Sequence, residues 1–288
     1  MTREPSTSRR AYAKINLSLD VVERREDRFH ELRSVMQTVS LYDDLTLSTT
    51  SHPRGRAVPA DEDAFWLVSR GIETMREQQP DASPIEHEVT KRIPAAAGLG
   101  GGSSDCAAAM RGTGTLLELA LDDAAMVALA ASIGSDVPFF LFGGTALVEG
   151  RGELVTPLDD TPKRWFLLAR QSDPVPTAKV FSEFSTNDRG DGRATDRVLE
   201  SLKVGTVQFG GNDLTAAAIR CFPEIGQTFD TLAQVAPPER IAMSGSGGTV
   251  VALFEDEDEA RAAEATVAQR ADWTCVAHSV DRRTALVR

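Results

Sequence analysis

The chain has 288 residues, enough for one large domain or two ordinary ones, and its 41% hydrophobic and 26% charged residues are typical of a folded globular protein. Its 31 basic and 43 acidic side chains give a formal net charge of −12, which argues against binding to nucleic acids or anionic membranes by bulk attraction. An anionic ligand would need positive potential supplied locally, by a few basic side chains or by helix N-termini.

The cysteines and the first residues of the chain predict a reduced protein of the cytoplasm. Cys106, Cys221 and Cys275 are odd in number and show no metal-ligand spacing. The opening MTREPSTSRR lacks the apolar segment of a signal peptide, and no later apolar run has membrane-spanning length. We expect a monomer or a weak homodimer.

Strands and helices alternate irregularly through the first half of the chain. Alternating apolar residues predict strands at 10–22, at 31–49 as one or two segments, and at 85–92. Apolar periodicity with acidic or small residues at the start predicts helices at 61–77, 103–119 and 122–134. The sequence FFLFGGTALVEG, residues 139–150, predicts a strand, a glycine turn and a second strand.

The second half is predicted to begin after a polar, proline-containing stretch at 158–164, which divides the chain into domains 1–160 and 161–288. Strands are expected at 165–169, 239–243, 248–254 and 274–280. Helices are expected at 176–184, 195–203, 213–221, 225–235 and 256–268, and residues 185–196 are expected to form a mobile loop. Because no regular β-α-β alternation appears, the predicted fold class is α+β rather than a doubly wound sheet.

A glycine-rich loop lies within KRIPAAAGLGGGSSDCAAAM, Lys91–Met110. A P-loop needs a lysine before its Ser or Thr, and this loop has none. A dinucleotide-binding fingerprint needs a glycine at its sixth position, where this chain has Ser103. The remaining interpretation is an anion site built from backbone N–H groups at a helix N-terminus, the alternative being a flexible turn with an N-cap.

The segment PAAAGLGGGSSD resembles the nucleotide-binding motif of the GHMP small-molecule kinases, which hold ATP phosphates with such a loop. AKINL, FHEL, GSDVPFF, GNDL and SGSGG follow the order of the family branch that phosphorylates the 2-hydroxyl of a cytidine-diphosphate-linked methylerythritol, in non-mevalonate isoprenoid synthesis. The resemblance covers residues 11–248. It implies a two-domain GHMP kinase fold, with an N-terminal domain like ribosomal protein S5 and a ferredoxin-like C-terminal domain.

The resemblance also implies roles for residues of the first domain. It makes Asp136 the general base and places the Lys14 ammonium beside it; the alternatives are a capping Asp and a solvated Lys. It implies Mg²⁺ bridging the ATP phosphates, with Ser104 or Asp105 as a contact, although an Asp in the first turn is also an ordinary helix start. It assigns ATP binding to Pro94, Ala95, Ala96, Ala97, Gly98, Leu99, Gly100, Gly101, Gly102, Ser103, Ser104 and Asp105.

For the cytidine end of the substrate, the resemblance points to Phe29, His30 and Phe181. Asn16, two residues from Lys14 on the same strand face, is expected to reach the substrate, and Thr177, four residues from Phe181, is expected to share its helical face. Gly245 and Ser246 belong to a second glycine turn between strands, which is expected to lie beside the substrate. Aromatic faces stack on bases, and a His nitrogen can bond to a base edge. Phe29 stands where the family usually has Tyr, which keeps the stacking surface and removes a phenol hydrogen bond. Core packing for Phe181, a structural role for Asn16 and a plain hairpin turn for SGSGG remain open as alternatives.

Two rival functions follow from the same residues. One is another GHMP kinase, acting on mevalonate, homoserine or a sugar; FHEL and Phe181 argue against it, because those substrates lack a base to stack. The other is a non-catalytic nucleotide-binding regulatory protein, which the presence of both Lys14 and Asp136 argues against.

Overall fold

Two sheets organise the protein. The computed structural model describes residues 5–26, 29–50, 62–171 and 174–287, with the backbone alone at 62–65 and 287. The first sheet comprises β1 (Ser6–Asn16), β2 (Ser18–Arg24), β3 (His30–Thr49), β4 (Ile85–Thr90), β5 (Thr145–Gly150), β6 (Leu154–Pro157) and β8 (Gly211–Asn212). The second sheet comprises β7 (Trp165–Arg170), β9 (Ile241–Met243), β10 (Val250–Phe254) and β11 (Trp273–His278), in the antiparallel order β11-β7-β10-β9.

Helices cover both sheets, and the mixture confirms the α+β prediction. The helices are α1 (Glu62–Arg76), α2 (Gly101–Leu116), α3 (Asp123–Ile133), α4 (Val137–Phe142), α5 (Thr177–Glu183), α6 (Ala194–Lys203), α7 (Thr215–Cys221), α8 (Glu224–Leu232), α9 (Glu257–Val267) and α10 (Arg282–Val287). No helix of the described ranges is both long and apolar enough to cross a bilayer. Asp61, where the first helix is predicted to begin, lies outside the described residues.

The long strand β3 is the centre of the first sheet. One edge pairs with β2 and then β1, and the other pairs with β5 and then β4, all antiparallel. The segment predicted as one strand at 10–22 therefore forms two strands, β1 and β2. They are separated by Leu17 and pair with the same edge of β3. Beyond β2, β8 pairs parallel with Ser18 and Leu19, so a segment of the second half of the chain completes the first sheet.

The prediction of a strand at 139–142 is wrong, because Val137–Phe142 forms helix α4. Pro138 lies in its first turn, where a missing N–H costs nothing, and Gly143 ends it at φ 62°. An apolar run this short fits a buried helix as well as a buried strand.

The predicted mobile loop at 185–196 is also more structured than expected. Thr186–Asp188 forms a 3₁₀ turn, and Asp188 accepts a hydrogen bond from Arg220 at 2.7 Å. Farther along, Gly190 N–H donates to Asp213 at 2.9 Å, and α6 begins at Ala194. Local composition indicated a loop but could not reveal these long-range partners, and the last three residues of the predicted loop, 194–196, belong to helix α6.

An apolar cluster between the sheets fixes the position of the glycine loop. Ile15 of β1 and Leu99 of the loop are buried together with Phe166 of β7 and Val251 of β10. Burying a side chain of this size stabilises a protein by about 1.5–3 kcal/mol. The loop is therefore held by both sheets.

Candidate active site

The carbonyl groups of the glycine loop are held by the surrounding scaffold. They accept hydrogen bonds from Arg170 (to Ala95, 3.2 Å), Val175 N–H (to Ala96, 3.1 Å), Ser244 (to Gly98, 2.9 Å) and Lys14 N–H (to Leu99, 3.0 Å). Within the described ranges, the N–H groups of residues 98–103 donate no hydrogen bond, and α2 lacks a side-chain cap. Unpaired N–H groups at a helix N-terminus suit a phosphate.

The glycines also allow neighbouring segments to pack closely against the loop, a role that was not predicted from the sequence. Gly98 has φ +74°, and a Cβ there would lie 2.2 Å from the carbonyl oxygen of Ser244. Gly100 has φ +71°, and its Cβ would lie 2.7 Å from Phe140. Side chains are excluded at both positions by backbone conformation and by neighbouring atoms.

The side-chain oxygens of Ser104 and Asp105 are buried, and two of the three are engaged in hydrogen bonds within the protein. Ser104 Oγ donates to the carbonyl oxygen of Tyr12 at 2.6 Å, and Asp105 Oδ2 accepts from Lys91 at 2.6 Å. Among the described residues, Asp105 Oδ1 has no hydrogen-bond partner, but it is buried, and burial raises the pKa of this carboxyl to about 7, which disfavours the ionised form that binds a metal. In the part of the chain that the structure describes, no group of three or more His, Cys, Asp or Glu is placed to hold a metal. These side chains therefore do not fit a resident Mg²⁺ site, and Mg²⁺ would enter with ATP as part of the substrate.

Lys14 and Asp136 meet beside the loop. The ammonium of Lys14 lies 3.6 Å from Asp136 Oδ2, and Lys14 is buried while the Asp136 side chain is 32% exposed. Burial lowers the pKa of Lys14, and the Asp136 carboxylate opposes that effect. Asp136 occupies the N-cap position of α4 without making a side-chain capping bond. Its carboxylate is thus directed to Lys14 rather than to the helix.

Asn16 orders this pair, as its position two residues from Lys14 predicts for one strand face. Its Oδ1 accepts from Lys14 Nζ at 2.7 Å and from Gly245 N–H at 2.9 Å. Its Nδ2 donates to Ser34 Oγ at 2.8 Å. The oxygen and the nitrogen of the amide are both hydrogen-bonded within the protein. These bonds support the alternative that Asn16 has a structural role.

The turn SGSGG, residues 244–248, joins the parts of the site. It lies between β9 and β10, as predicted, and contacts Gly98 and Asn16. The hydroxyl groups of Ser246 and Thr177 share a hydrogen bond of 2.8 Å, which reaches α5. The turn therefore links the loop, Lys14 and the helix that carries Phe181.

His30 and Phe181 form an aromatic pair, in which Phe181 lies about one helical turn after Thr177 on α5. The rings of His30 and Phe181 stack with centroids 5.0 Å apart and planes 25° apart, and Phe184 meets His30 edge-on at 5.9 Å. Burial lowers the pKa of His30, and the positive charges of Arg24 and Arg189 lower it further. These effects favour the neutral imidazole, in which one ring nitrogen can accept a hydrogen bond.

Phe29 does not join the His30–Phe181 pair. Its ring is 51% exposed and lies under the guanidinium of Arg151 at 5.1 Å. Arg151 belongs to the β5–β6 turn, in which Gly152 packs against Ser135, next to Asp136. Three arginines near these aromatic rings, Arg24, Arg151 and Arg189, were not predicted from the sequence. The arginine in GRGE, which follows the quoted GSDVPFF motif, was the available signal for Arg151.

Comparisons with known proteins agree with this architecture. Family models for the GHMP kinases N terminal domain and the GHMP kinases C terminal match residues 67–144 and 196–272. The 4-diphosphocytidyl-2-C-methyl-D-erythritol kinase of Geobacter metallireducens is 37% identical, over 94% of this chain and 98% of its own length. The protein of that name from Geobacter sulfurreducens is 38% identical, over 88% of this chain and 92% of its own.

Solved structures give the same result. A crystal structure of 4-(cytidine 5'-diphospho)-2C-methyl-D-erythritol kinase has a TM-score of 0.82 and 31% identity, covering 95% of this chain and 99% of that one. A homoserine kinase from Cytophaga hutchinsonii has a TM-score of 0.71 at 18% identity, over 99% of this chain and 97% of its own, and so shares the fold alone. From its sequence and its structure, the chain belongs to the 4-diphosphocytidyl-2-C-methyl-D-erythritol kinase family of the GHMP kinases.

Proposed function

We propose that this protein is an ATP-dependent kinase of non-mevalonate isoprenoid synthesis. It transfers the γ-phosphoryl group of MgATP to the 2-hydroxyl of 4-(cytidine 5'-diphospho)-2-C-methyl-D-erythritol. The observation that carries the proposal is the Lys14–Asp136 pair beside a loop of unpaired N–H groups. The names of relatives that match almost the whole chain support the choice of acceptor.

Phosphoryl transfer depends chiefly on positioning and on stabilising negative charge. Asp136 accepts the proton of the acceptor hydroxyl as the hydroxyl oxygen bonds to the γ-phosphorus, and the bond to the bridging oxygen breaks to release ADP. Lys14, buried and fixed by Asn16, lies beside Asp136 and offers positive charge to the transferring group. The loop at 94–105 binds the ATP phosphates through its N–H groups.

The cytidine diphosphate end is assigned to the opposite side of the SGSGG turn. We assign base stacking to Phe181 or Phe29, and base-edge hydrogen bonding to the neutral His30. Thr177, Gly245 and Ser246 support this end through the turn. Binding a diphosphate also requires positive charge, which we assign to Arg151. Its guanidinium contacts the Phe29 ring, and the turn that contains it packs against Ser135, next to Asp136.

The remaining parts of the proposal concern organisation. Domain 1–160 supplies the loop, Lys14 and Asp136, and domain 161–288 supplies Phe181. We expect the enzyme to act in the cytoplasm, as a monomer or a weak homodimer. Mg²⁺ belongs to the MgATP substrate, because Asp105 is already paired with Lys91.

The decisive experiment is ADP release with three acceptors: the cytidine-linked methylerythritol, mevalonate and homoserine. We expect turnover with the first alone, and phosphorus NMR of the product should show a new monoester at the 2-position. Preferred turnover of mevalonate or homoserine would assign the protein to another GHMP activity. ATP binding without turnover of any acceptor would favour the regulatory alternative.

A further inference from the structure

A buried cluster of three ionisable side chains joins the last residue of the glycine loop to a neighbouring strand, and no step of the chemistry proposed above uses these side chains. The ammonium of Lys91 donates to Asp43 Oδ2 at 2.5 Å and to Asp105 Oδ2 at 2.6 Å. Both carboxyl side chains are fully buried, whereas the Lys91 side chain is 24% exposed. We call Asp43, Lys91 and Asp105 the Lys91 cluster.

The Lys91 cluster ties both ends of the loop to strand β3. At the loop's entry, Asp43 Oδ1 accepts the N–H groups of Arg92 and Ile93, the second at 2.9 Å. At its exit, Asp105 lies in the second turn of α2 and is bound by Lys91. Asp43 therefore fixes the entry directly and the exit through Lys91.

Stability alone does not explain this arrangement. Buried charges are costly to desolvate, and apolar residues of similar volume are often equally or more stabilising. Here two carboxylates share one ammonium. Burial raises the pKa of Asp105 to about 7, against the effect of Lys91 and reinforced by the like charge of Asp43. Unlike apolar contacts, charged hydrogen bonds also fix the direction in which the bonded groups point.

The loop requires such geometry. The N–H groups of residues 98–103 can bind one phosphate only if they point to the same place, and a misplacement of about 1 Å can lower the rate of a catalysed reaction on the order of 10²-fold. Carbonyl contacts to Arg170, Ser244 and Lys14 hold the loop's middle. The Lys91 cluster is the corresponding restraint at its ends.

We propose that Asp43, Lys91 and Asp105 are positioning residues for ATP, which act by holding the ends of the loop in the phosphate-binding arrangement. The inference rests on the proposed function, because it takes the loop to be the ATP site. It goes beyond that function by assigning specific affinity for ATP to side chains outside the loop's N–H groups.

The test compares two substitutions of one residue by calorimetric titration with ATP. Asp105→Asn keeps an acceptor for Lys91 at nearly the same size, whereas Asp105→Leu removes it. We expect Asp105→Leu to weaken ATP binding about tenfold or more, and Asp105→Asn, which keeps the acceptor, to lose much less affinity. The KM for the cytidine-linked acceptor should not change in either. Equal ATP affinity in the folded Asn and Leu variants overturns the proposal.

A second series uses Lys91 itself. Lys91→Gln should lose ATP affinity, and Lys91→Arg, which keeps the charge, should recover most of it. Lys163→Gln removes an exposed lysine before β7 and is the matched control, expected to bind ATP as wild type does. If Lys91 had only a structural role, Lys91→Gln would unfold at a lower temperature, and its affinity for ATP and its KM for the acceptor would be affected alike.

A failure of the positioning role can be distinguished from a failure of the proposed function. If neither Asp105→Leu nor Lys91→Gln folds, as judged by circular dichroism, the Lys91 cluster is a folding requirement and the positioning role is wrong. If wild-type protein binds no ATP, the proposed function fails first. Normal ATP binding by wild type and by both folded variants contradicts this inference alone.

Discussion

Thr177 of helix α5 and Ser246 of the SGSGG turn share a hydrogen bond of 2.8 Å, which ties the helix of Phe181 to the turn that contacts Lys14 and Gly98. The bond joins the helix that carries Phe181, part of the proposed base site, to the turn beside the Lys14–Asp136 pair, and it uses none of the N–H groups of the loop. Any loosening of α5 should therefore affect the acceptor more than ATP.

Thr177→Val tests this separation, because valine keeps the shape of threonine and removes the hydroxyl. The loss of one hydrogen bond is worth about 0.5–1.5 kcal/mol, so the KM for the cytidine-linked acceptor should rise several-fold while the KM for ATP stays constant. Steady-state kinetics with each substrate varied in turn provide the measurement. Thr274→Val, in β11, is the control. Equal increases in both KM values would contradict the assignment of α5 to the acceptor end.

Asp136→Asn removes a charge and a base at constant size. Turnover should fall by about 10²–10⁴-fold, the usual loss for a general base, or by less if the transition state is loose. ATP affinity should survive, because the loop supplies it. Single-turnover phosphorylation at saturating concentrations of both substrates is the measurement, with the exposed Asp159→Asn as a control. Full-speed transfer by Asp136→Asn would move the chemistry to other residues.

Gly98→Ala tests how closely the loop packs. Its φ of +74° costs an alanine about 1 kcal/mol or more, and the new Cβ would lie 2.2 Å from the Ser244 oxygen. Gly192→Ala is the matched control, with φ +69° and nothing within 4 Å of the added carbon. Thermal unfolding should show a clearly larger loss for Gly98→Ala, accompanied by weaker ATP binding. Similar losses in both variants would mean that the contact with Ser244 is readily relieved.

Asp105→Asn should change how stability depends on pH. The pKa of Asp105 is raised from 3.8 to about 7, so between these values the folded protein holds a proton that the unfolded chain has released. Stability contributed by this group is thus lost as pH rises from about 4 to about 7. The nearby groups are Lys91, Asp43 and the thiol of Cys106, whose pKa burial raises to about 12.

Because asparagine does not titrate, Asp105→Asn should gain stability relative to wild type as pH rises across that range, by on the order of a few kcal/mol. Urea unfolding at pH 5 and at pH 8 measures the difference. Asp258→Asn, exposed on α9, is the control. A stability difference that is the same at both values of pH would show that Asp105 is ionised throughout.

Local patterns predicted much of the site, and their limits have physical causes. Period-two alternation placed Lys14 and Asn16 on one face of β1, and glycines before an alanine-rich segment predicted the loop and α2. The helix at 137–142 was missed because a short apolar run has no distinguishing period. The elements β6, β8 and α10 gave no usable signal.

Local patterns could not predict contacts between segments that are distant in the sequence. Lys91 lies 14 residues from Asp105 and 48 from Asp43 along the chain, and only the pairing of β3 with β4 and the packing of α2 bring them together. Sequence spacing likewise predicted a shared helical face for Thr177 and Phe181. It could not supply Ser246 as the partner of Thr177, because that bond spans 69 residues.

The pairing of β8 with β2 has a consequence for attempts to divide the protein. A fragment ending at residue 160 would lack Gly211 and Asn212, and would leave the backbone groups of Ser18 and Leu19 as an uncovered sheet edge. It would also lose Ala194 and Thr195, whose N–H groups bind Asp20 at 3.0 and 2.7 Å. Open edges recruit other chains. The first domain expressed alone should therefore self-associate, and adding residues 161–288 in trans should restore its solubility.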